Sequence, residues 1–419
     1  MIIRIPGFHI FNACLFLALA IVITGCVDSD PVTCTDTLGC IDIPPDKPVE
    51  IGILQVLSGG LRAQGQMQVR GVEICLAKRG NRLLGHPVQL HIADSGCSGE
   101  AGINAALSFT TNPKIVGIIG TYCSSAATAA VEFVSKAGMV MISGTNSAPS
   151  LTSINGKPGD NWYPGYFRTM YNGIIMAEMA ADFAFKALDV KKAATINDGD
   201  NFTLELTKEF ERNYTELGGE IVKSIGINKG DKDMKPALEA LAYSKPGLIY
   251  FPLFEPEAVC VIEQARDIAG LENIILIGSG GANSETFLNS VGDSGMGFYL
   301  TATDSISSKQ KDKLYLDYES KYGEKPIHFS LPYVYDAASL LFAAIESAAI
   351  KKADGTLHIG RAALRKALYG TDGYQGISGR LTCDKFGDLF GGSYSIIRFD
   401  VLPAGPEPKR YTSRIVYRY

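Results

Sequence analysis

Two short polar stretches carry the residue types that could do chemistry. Thr121-Tyr122-Cys123-Ser124-Ser125 follows an apolar run at 115–119 and Gly120, and a second cluster, 143–147, follows the apolar run 139–142. Hydroxyls and backbone N–H groups at such places are hydrogen-bond donors. The alanine-rich segment 126–136 predicts a helix, so Ser124 is placed to cap its start, where the dipole favours an anion such as a carboxylate. One such turn is ordinary helix capping. Two of them, at matching ends of adjacent parallel strands, predict the ligand crevice of an open α/β sheet.

The elements that must hold these turns alternate along the chain. A strand at 49–57 breaks at Ser58-Gly59-Gly60, a helix covers 64–78, a strand 88–93 ends in Asp94-Ser95-Gly96-Cys97, and a helix spans 99–111. After Leu151 comes a loop rich in Asn, Gly and Pro that carries the only tryptophan, Trp162, then Phe167-Arg168-Thr169 and a helix at 174–187. A second alternation follows, with strands at 193–196, 220–225, 247–251 and 274–277 separated by helices at 203–217, 234–243 and 257–269. Helices at 309–322 and 333–349 come after a strand-like crossing at 298–303. Two strand-like runs, 379–383 and 393–399, flank Asp384-Lys385-Phe386-Gly387-Asp388 and suit a hairpin. Repeated βα units predict parallel sheets, and two sets of them predict two similar lobes.

With 419 residues, 46% hydrophobic and 20% charged, the chain is long enough for two cores. The net charge of −5 with scattered Lys and Arg gives nucleic acid no footprint. Catalysis finds no support either: there is no G-x-S-x-G elbow, no H-E-x-x-H, no Walker loop and no Cys/His pair on neighbouring strand ends. No C-x₂-C pair exists and the five histidines are dispersed, so no metal site is expected. Nothing calls for a cofactor.

The N-terminus reads as a signal peptide, residues 1–25, with Arg4 ahead of an apolar stretch at 11–23. It ends in Ile23-Thr24-Gly25-Cys26, which resembles a bacterial lipobox. Cys26 is then the expected lipid anchor, and several acyl chains hold stably where one does not. No run of 18 apolar residues follows residue 25, so the body is expected to touch the membrane only through that anchor, in the periplasm or at the cell surface. Residues 26–48 read as a tether, in which Cys34 and Cys40 are close enough to close a small loop. Five further cysteines (75, 97, 123, 260 and 383) follow in the body.

The order of these pieces resembles the leucine/isoleucine/valine-binding type of periplasmic binding protein, of the type I fold. The residues that carry the likeness are Leu57-Ser58-Gly59 with Gly65 and Gly71, Ile119-Gly120 with Cys123-Ser124-Ser125, Met141-Ile142-Ser143, Phe167-Arg168-Thr169, 333–337, and Gly376 with 384–388. The resemblance implies an α/β protein of two Rossmann-like lobes joined by a three-strand hinge, with lobe one at 49–167 and 303–374 and lobe two at 168–302 and 375–419. It implies a lipid-anchored solute-binding protein of an ABC importer, whose partners are a permease and a small amino acid or related carboxylate or amide. The alternative is a ligand-sensing receptor component of the same fold. Carried over by position, Ser124 holds a carboxylate, Thr145 offers its carbonyl to an ammonium, and Ser147 serves both. Gln64 and Tyr122 line a side-chain pocket, and Phe202 and Phe254 close over it. The resemblance also implies a disulfide between Cys97 and Cys123.

One departure bears on the ligand. The family places an acidic group opposite the ammonium, in the turn after the strand that here ends at Ile277, but this chain has Ser279-Gly280-Gly281 there. A desolvated ammonium without a partner is costly. Glu255, Asp198 and Asp200 are the carboxylates left to substitute.

Overall fold

The computed structural model describes residues 1, 33–280, 285–303, 308–401 and 411–418. The expected signal peptide and Cys26 lie outside the described residues. The chain divides into two compact units, Met1–Thr33 and Cys34–Tyr419, and all that follows concerns the second.

Apolar runs bounded by small polar turns become the buried central parallel strands, because helices cover both faces of the sheet there. The first sheet has six strands in the order Arg82–Leu83, His86–Asp94, Val49–Gln55, Ile115–Gly120, Met141–Ser143 and Tyr166–Arg168. All neighbours pair in parallel except the small Arg82–Leu83 hairpin. The second sheet has seven strands, ordered Glu220–Gly226, Lys192–Asn197, Leu248–Tyr250, Ile275–Gly278, Tyr299–Thr303, Tyr394–Val401 and Tyr411–Arg418. Its first five are parallel and its last two antiparallel.

Numbered by chain order within each sheet, the parallel strands of both run 2-1-3-4-5. In this order the crevice opens where the first and third strands part, beyond their carboxyl ends. In the first sheet those ends are Gln55 and Gly120; in the second they are Asn197 and Tyr250. Each sheet with its helices forms a lobe. The helix Leu331–Ala348 packs Val334, Leu341 and Ile345 against Ile51, Val116 and Ile142 of the first sheet. Phe109, Ala127 and Val131 cover its other face. Each such side chain, fully buried, contributes about 1.5–3 kcal/mol.

Four local expectations are corrected. The runs around 379–383 and 393–399 do not pair with each other. Arg380–Leu381 pairs with Tyr374–Gln375, while Tyr394–Val401 joins the second sheet beside Tyr299–Thr303. The reason is the turn between them, which is captured by the first lobe: Asp388 Oδ1 lies 2.5 Å from the buried Arg168 Nε, and Leu389 N donates to Arg168 O at 2.9 Å. Ser124 does not cap its helix. Cys123, held extended, is the N-cap residue of Ser124–Lys136, and Ser124 Oγ instead accepts from Ala148 N at 3.3 Å. The helix expected to run evenly over 174–187 changes pitch, from Gly173–Asp182 into a π-helical turn at Phe183–Ala187. The end of the expected tether is built into the body. Cys34 and Cys40 are joined in a disulfide, and Cys40–Ile43 pairs antiparallel with Leu357–Gly360.

Candidate functional site

The two polar turns of the first lobe are bound to each other. Ser143 Oγ donates to Thr121 O at 2.8 Å, and Thr145 Oγ1 donates to the same carbonyl at 2.9 Å. Asn146 Nδ2 donates to Tyr122 O at 3.0 Å, while Tyr166 OH donates to Asn146 Oδ1 at 3.0 Å. Gly120 permits the close approach: its φ is +145°, and a Cβ there would lie 1.9 Å from Leu54 O. Behind the second turn, fully buried Arg168 donates to Ala148 O at 2.8 Å, to Thr152 Oγ1 and to Asp388. Cys97 and Cys123 are joined in a disulfide with Cα atoms 5.2 Å apart, which ties the first turn to the turn after His86–Asp94, across the end of the intervening strand Val49–Gln55.

This frame holds Ser124 and Ser147 against a cavity. The helix behind Ser124 has no side-chain cap, so its first-turn N–H groups are open to an acceptor in the cavity. Ser147 Oγ makes no hydrogen bond to protein among the described residues. Opposite stand rings from the second lobe: Phe202 and Phe254 have centroids 5.2 Å apart, and Phe254 lies 6.3 Å from Tyr122. Tyr122, Ser124, Thr145, Ser147, Phe202 and Phe254, all expected at the site, do line this cavity. Gln64 does not; its amide donates to Glu255 Oε2 at 3.1 Å across the cleft. The free volume is about 30 Å³, on the order of one water. The lobes are therefore shut on each other. Asn201 N donates to Ser125 Oγ at 2.8 Å, and Ser150 N donates to Glu205 Oε2 at 2.8 Å.

Four lining residues were not anticipated: Met170, Tyr171, His328 and Phe329. Tyr171 follows the strand end Tyr166–Arg168, so the strand-end rule could have found it. His328 and Phe329 sit in the approach to the helix Leu331–Ala348, and only the packing of that helix brings them in. Ser330 N donates to His328 Nδ1 at 3.3 Å, and Ser330 Oγ lies 2.8 Å from the same nitrogen. Gln68 Nε2 already donates to Ser330 Oγ at 2.8 Å, which leaves the hydroxyl proton for His328. Nδ1 is then an acceptor and the neutral ring carries its proton on Nε2. Burial pushes the His328 pKa down to about 4, so the ring is uncharged near neutrality, and its Nε2 has no hydrogen-bond partner among the described residues. Burial also holds the Tyr122 and Tyr171 phenols above their ordinary values, with Glu255 adding to the effect at Tyr122. All three groups offer N–H or O–H donors.

No carboxylate lines the inner cavity among the described residues. Gly280 does line it, but a Cβ there would lie 2.5 Å from Tyr171 Oη and 3.5 Å from Phe329 Cζ. The place of the acid is filled by a phenol and a ring. Of the possible substitutes, Asp200 is ion-paired with Lys229 at 2.6 Å, Asp198 faces a different cavity, and Glu255 is held by Gln64. The arrangement can therefore take an anion or carbonyl at the Ser124 and Ser147 turns and an apolar or flat body against the rings.

A profile of the periplasmic binding protein family matches residues 48–388. The Leu/Ile/Val-binding protein BraC3 of Rhizobium johnstonii is 25% identical over 360 residues, covering 84% of this chain and 92% of its own. Among solved structures, a leucine binding protein of Thermotoga maritima superposes with a TM-score of 0.73 at 23% identity, covering 88% of this chain and 99% of its own. A solute binding protein of an R. palustris ABC transporter, in complex with benzoate, gives 0.72 at 21% identity, covering 88% and 96%.

Proposed function

The chain belongs to the periplasmic binding protein family, and we propose that it is the lipid-anchored solute-capturing component of an ABC importer, taking a small carboxylate or amide with an apolar or aromatic body. The observation that carries this is the inner cavity: donors at Ser124, Ser147 and His328 face aromatic rings, and no carboxylate lines it among the described residues. An ammonium there would have only the Thr145 carbonyl. Leaving a buried ammonium without a counter-charge costs several kcal/mol, enough to remove micromolar affinity. Named ligands of the relatives, Leu/Ile/Val in one and benzoate in another, share a carboxylate. They differ in the ammonium, which is the feature this cavity does not provide for.

The family likeness puts lobe one at 49–167 with 303–374 and lobe two at 168–302 with 375–419. The third crossing is best drawn after Leu389, since Ile377, Leu381 and Leu389 pack in the first core. The lobes open to admit ligand, with Ser124, Thr145, Ser147 and Tyr122 binding first and Phe202 and Phe254 closing over it. Gln64 acts through Glu255 as part of that closure. Cys26 holds the protein at the membrane; among the described residues no helix is long and apolar enough to cross one.

A thermal-shift panel of aliphatic amino acids, aromatic acids, short-chain acids and amides tests the ligand class. The largest shifts are expected from acids and amides that lack an α-ammonium. Tight leucine binding that survives Glu255→Gln, Asp198→Asn and Asp200→Asn together would overturn that class. Import is tested by the gene's deletion and by Cys26→Ala, which should release the protein from membranes.

A further inference from the structure

Phe254 also lines a second cavity, of about 480 Å³, which shares no other residue with the inner one. Its walls come from the 58–60 turn and Gly96-Cys97 of the first lobe, and from Asp198, the 229–232 loop and Glu257 of the second. Asp198 is only 6% exposed. Its Oδ1 accepts from Asp200 N at 3.0 Å and from the Thr203 hydroxyl at 2.5 Å. Its Oδ2 is buried and has no hydrogen-bond partner among the described residues. Glu257, 5% exposed, accepts from Gly230 N at 2.7 Å.

The charges here do not balance. Asp198, Asp200 and Glu257 are all buried, and among the described residues the cation that acts on both Asp198 and Glu257 is Lys229. Lys229 is committed elsewhere, to Asp200 at 2.6 Å and to Cys97 O at 2.8 Å. Asp231 and Lys232 also line the cavity, and Asp231 Oδ2 accepts from Asn228 N at 2.9 Å. Burial raises the pKa of both Asp198 and Glu257, as expected of carboxylates short of positive charge.

We propose that this outer cavity binds a small organic amine, an alkylammonium or guanidinium group, with its cation on Asp198 Oδ2 and Glu257. A metal ion fits less well. Among the described residues the only trio of metal-type ligand atoms close enough to share an ion is Cys97, Cys123 and Asp200, and those two sulfurs are joined to each other. The volume is also far larger than an ion, and Val56, Leu61, Phe254 and Pro256 supply apolar wall for a carbon body. The site does not depend on the identity of the inner ligand.

Because both lobes supply its walls, calorimetry with n-butylammonium chloride and with 1-butanol, on the whole protein saturated with the tightest inner ligand of the panel and near neutral pH, tests the proposal. Butylammonium is expected to bind at millimolar concentration and butanol not. Asp198→Asn and Glu257→Gln are each expected to weaken the amine about tenfold or more, the loss of one charged hydrogen bond. Equal binding of butanol and butylammonium would overturn the proposal, as would no amine binding at all. So would amine affinity unchanged in Glu257→Gln, which leaves the Asp198 turn intact and stands even if Asp198→Asn fails to fold.

Discussion

In the first lobe the strands Val49–Gln55, Ile115–Gly120 and Met141–Ser143 run out into Ser58, Ser124 and Ser147. In the second lobe the matching strands Lys192–Asn197, Leu248–Tyr250 and Ile275–Gly278 run out into Asp198, Phe254 and Gly280. Strand order and parallel pairing are the same in both sheets. The turns at their ends are not: one lobe presents hydroxyls and N–H groups, the other rings and carboxylates. The cleft between them is therefore divided by Phe254 into an inner cavity of donors and an outer cavity of acids. A repeated architecture fixes where the turns go, and the turn residues decide what each place can bind.

The asymmetry can be broken on the first lobe by removing what holds its turns. Arg168→Ala should cost the most, about 3–5 kcal/mol of stability, because it leaves Asp388 without its partner and frees the carbonyl of Ala148. Denaturant melts read the loss, and ligand binding should fall with it. An unchanged midpoint would mean the Ser147 turn is held without this arginine. Replacing Cys97 and Cys123 together by Ala should cost roughly 3 kcal/mol, since the bridge closes a loop with a sequence separation of 26. The same melts measure it, and a cost near zero would place the constraint on the Ser124 turn elsewhere.

Affinity sharpens the comparison between donor and ring. Ser124→Ala should weaken binding of the tightest carboxylate from the panel by about 1.5–3 kcal/mol, roughly 10–150-fold. Phe202→Leu keeps an apolar wall and should cost less than about 1.5 kcal/mol. Calorimetry with the reverse ranking would put the anion away from the first lobe's helix start.

The most gradual effects come from pH, and here the two cavities should respond with opposite sign. His328 has a folded pKa of about 4, below its ordinary value, so between those values the unfolded chain binds more protons. Its contribution to stability is present near neutrality and is lost as the pH falls through that window, by at most about 1.4 kcal/mol per unit. Asp198 and Glu257 have raised pKa values, so the folded protein binds more protons just above the ordinary carboxylate range. Their contribution is present at low pH and is lost as the pH rises. Melting temperatures from about pH 4 to 7 should therefore rise less steeply in His328→Asn than in the unaltered protein, and more steeply in Asp198→Asn. Parallel curves for all three would remove the electrostatic contrast between the cavities.

What the amino-acid sequence determined by itself was whatever depends on neighbours along the chain. Apolar runs ending in small polar residues marked the strand ends and the two polar turns, while the individual lining positions, six of the seven expected, were legible through the family likeness. The Cys97–Cys123 pair was legible from the family likeness, and the glycine at 280 where an acid was expected was plain to read. Only the tertiary structure decided how those positions were used. Gln64 lies on the expected helix, but the closed lobes turn its amide to Glu255. The hairpin expected around 384–388 satisfied local turn chemistry and still did not form, because a buried guanidinium 220 residues away in sequence claims Asp388. His328 and Phe329 reach the cavity only through packing of the helix that follows them, and Asp198, after a strand end, shares a cavity with Glu257, in a helix first turn, only through the packing of the second lobe. Hydrogen-bond propensity and hydrophobic period act over a few residues and can be read from the chain. Desolvation and long-range pairing depend on what else is buried at the same point in space, which the order of residues alone does not specify.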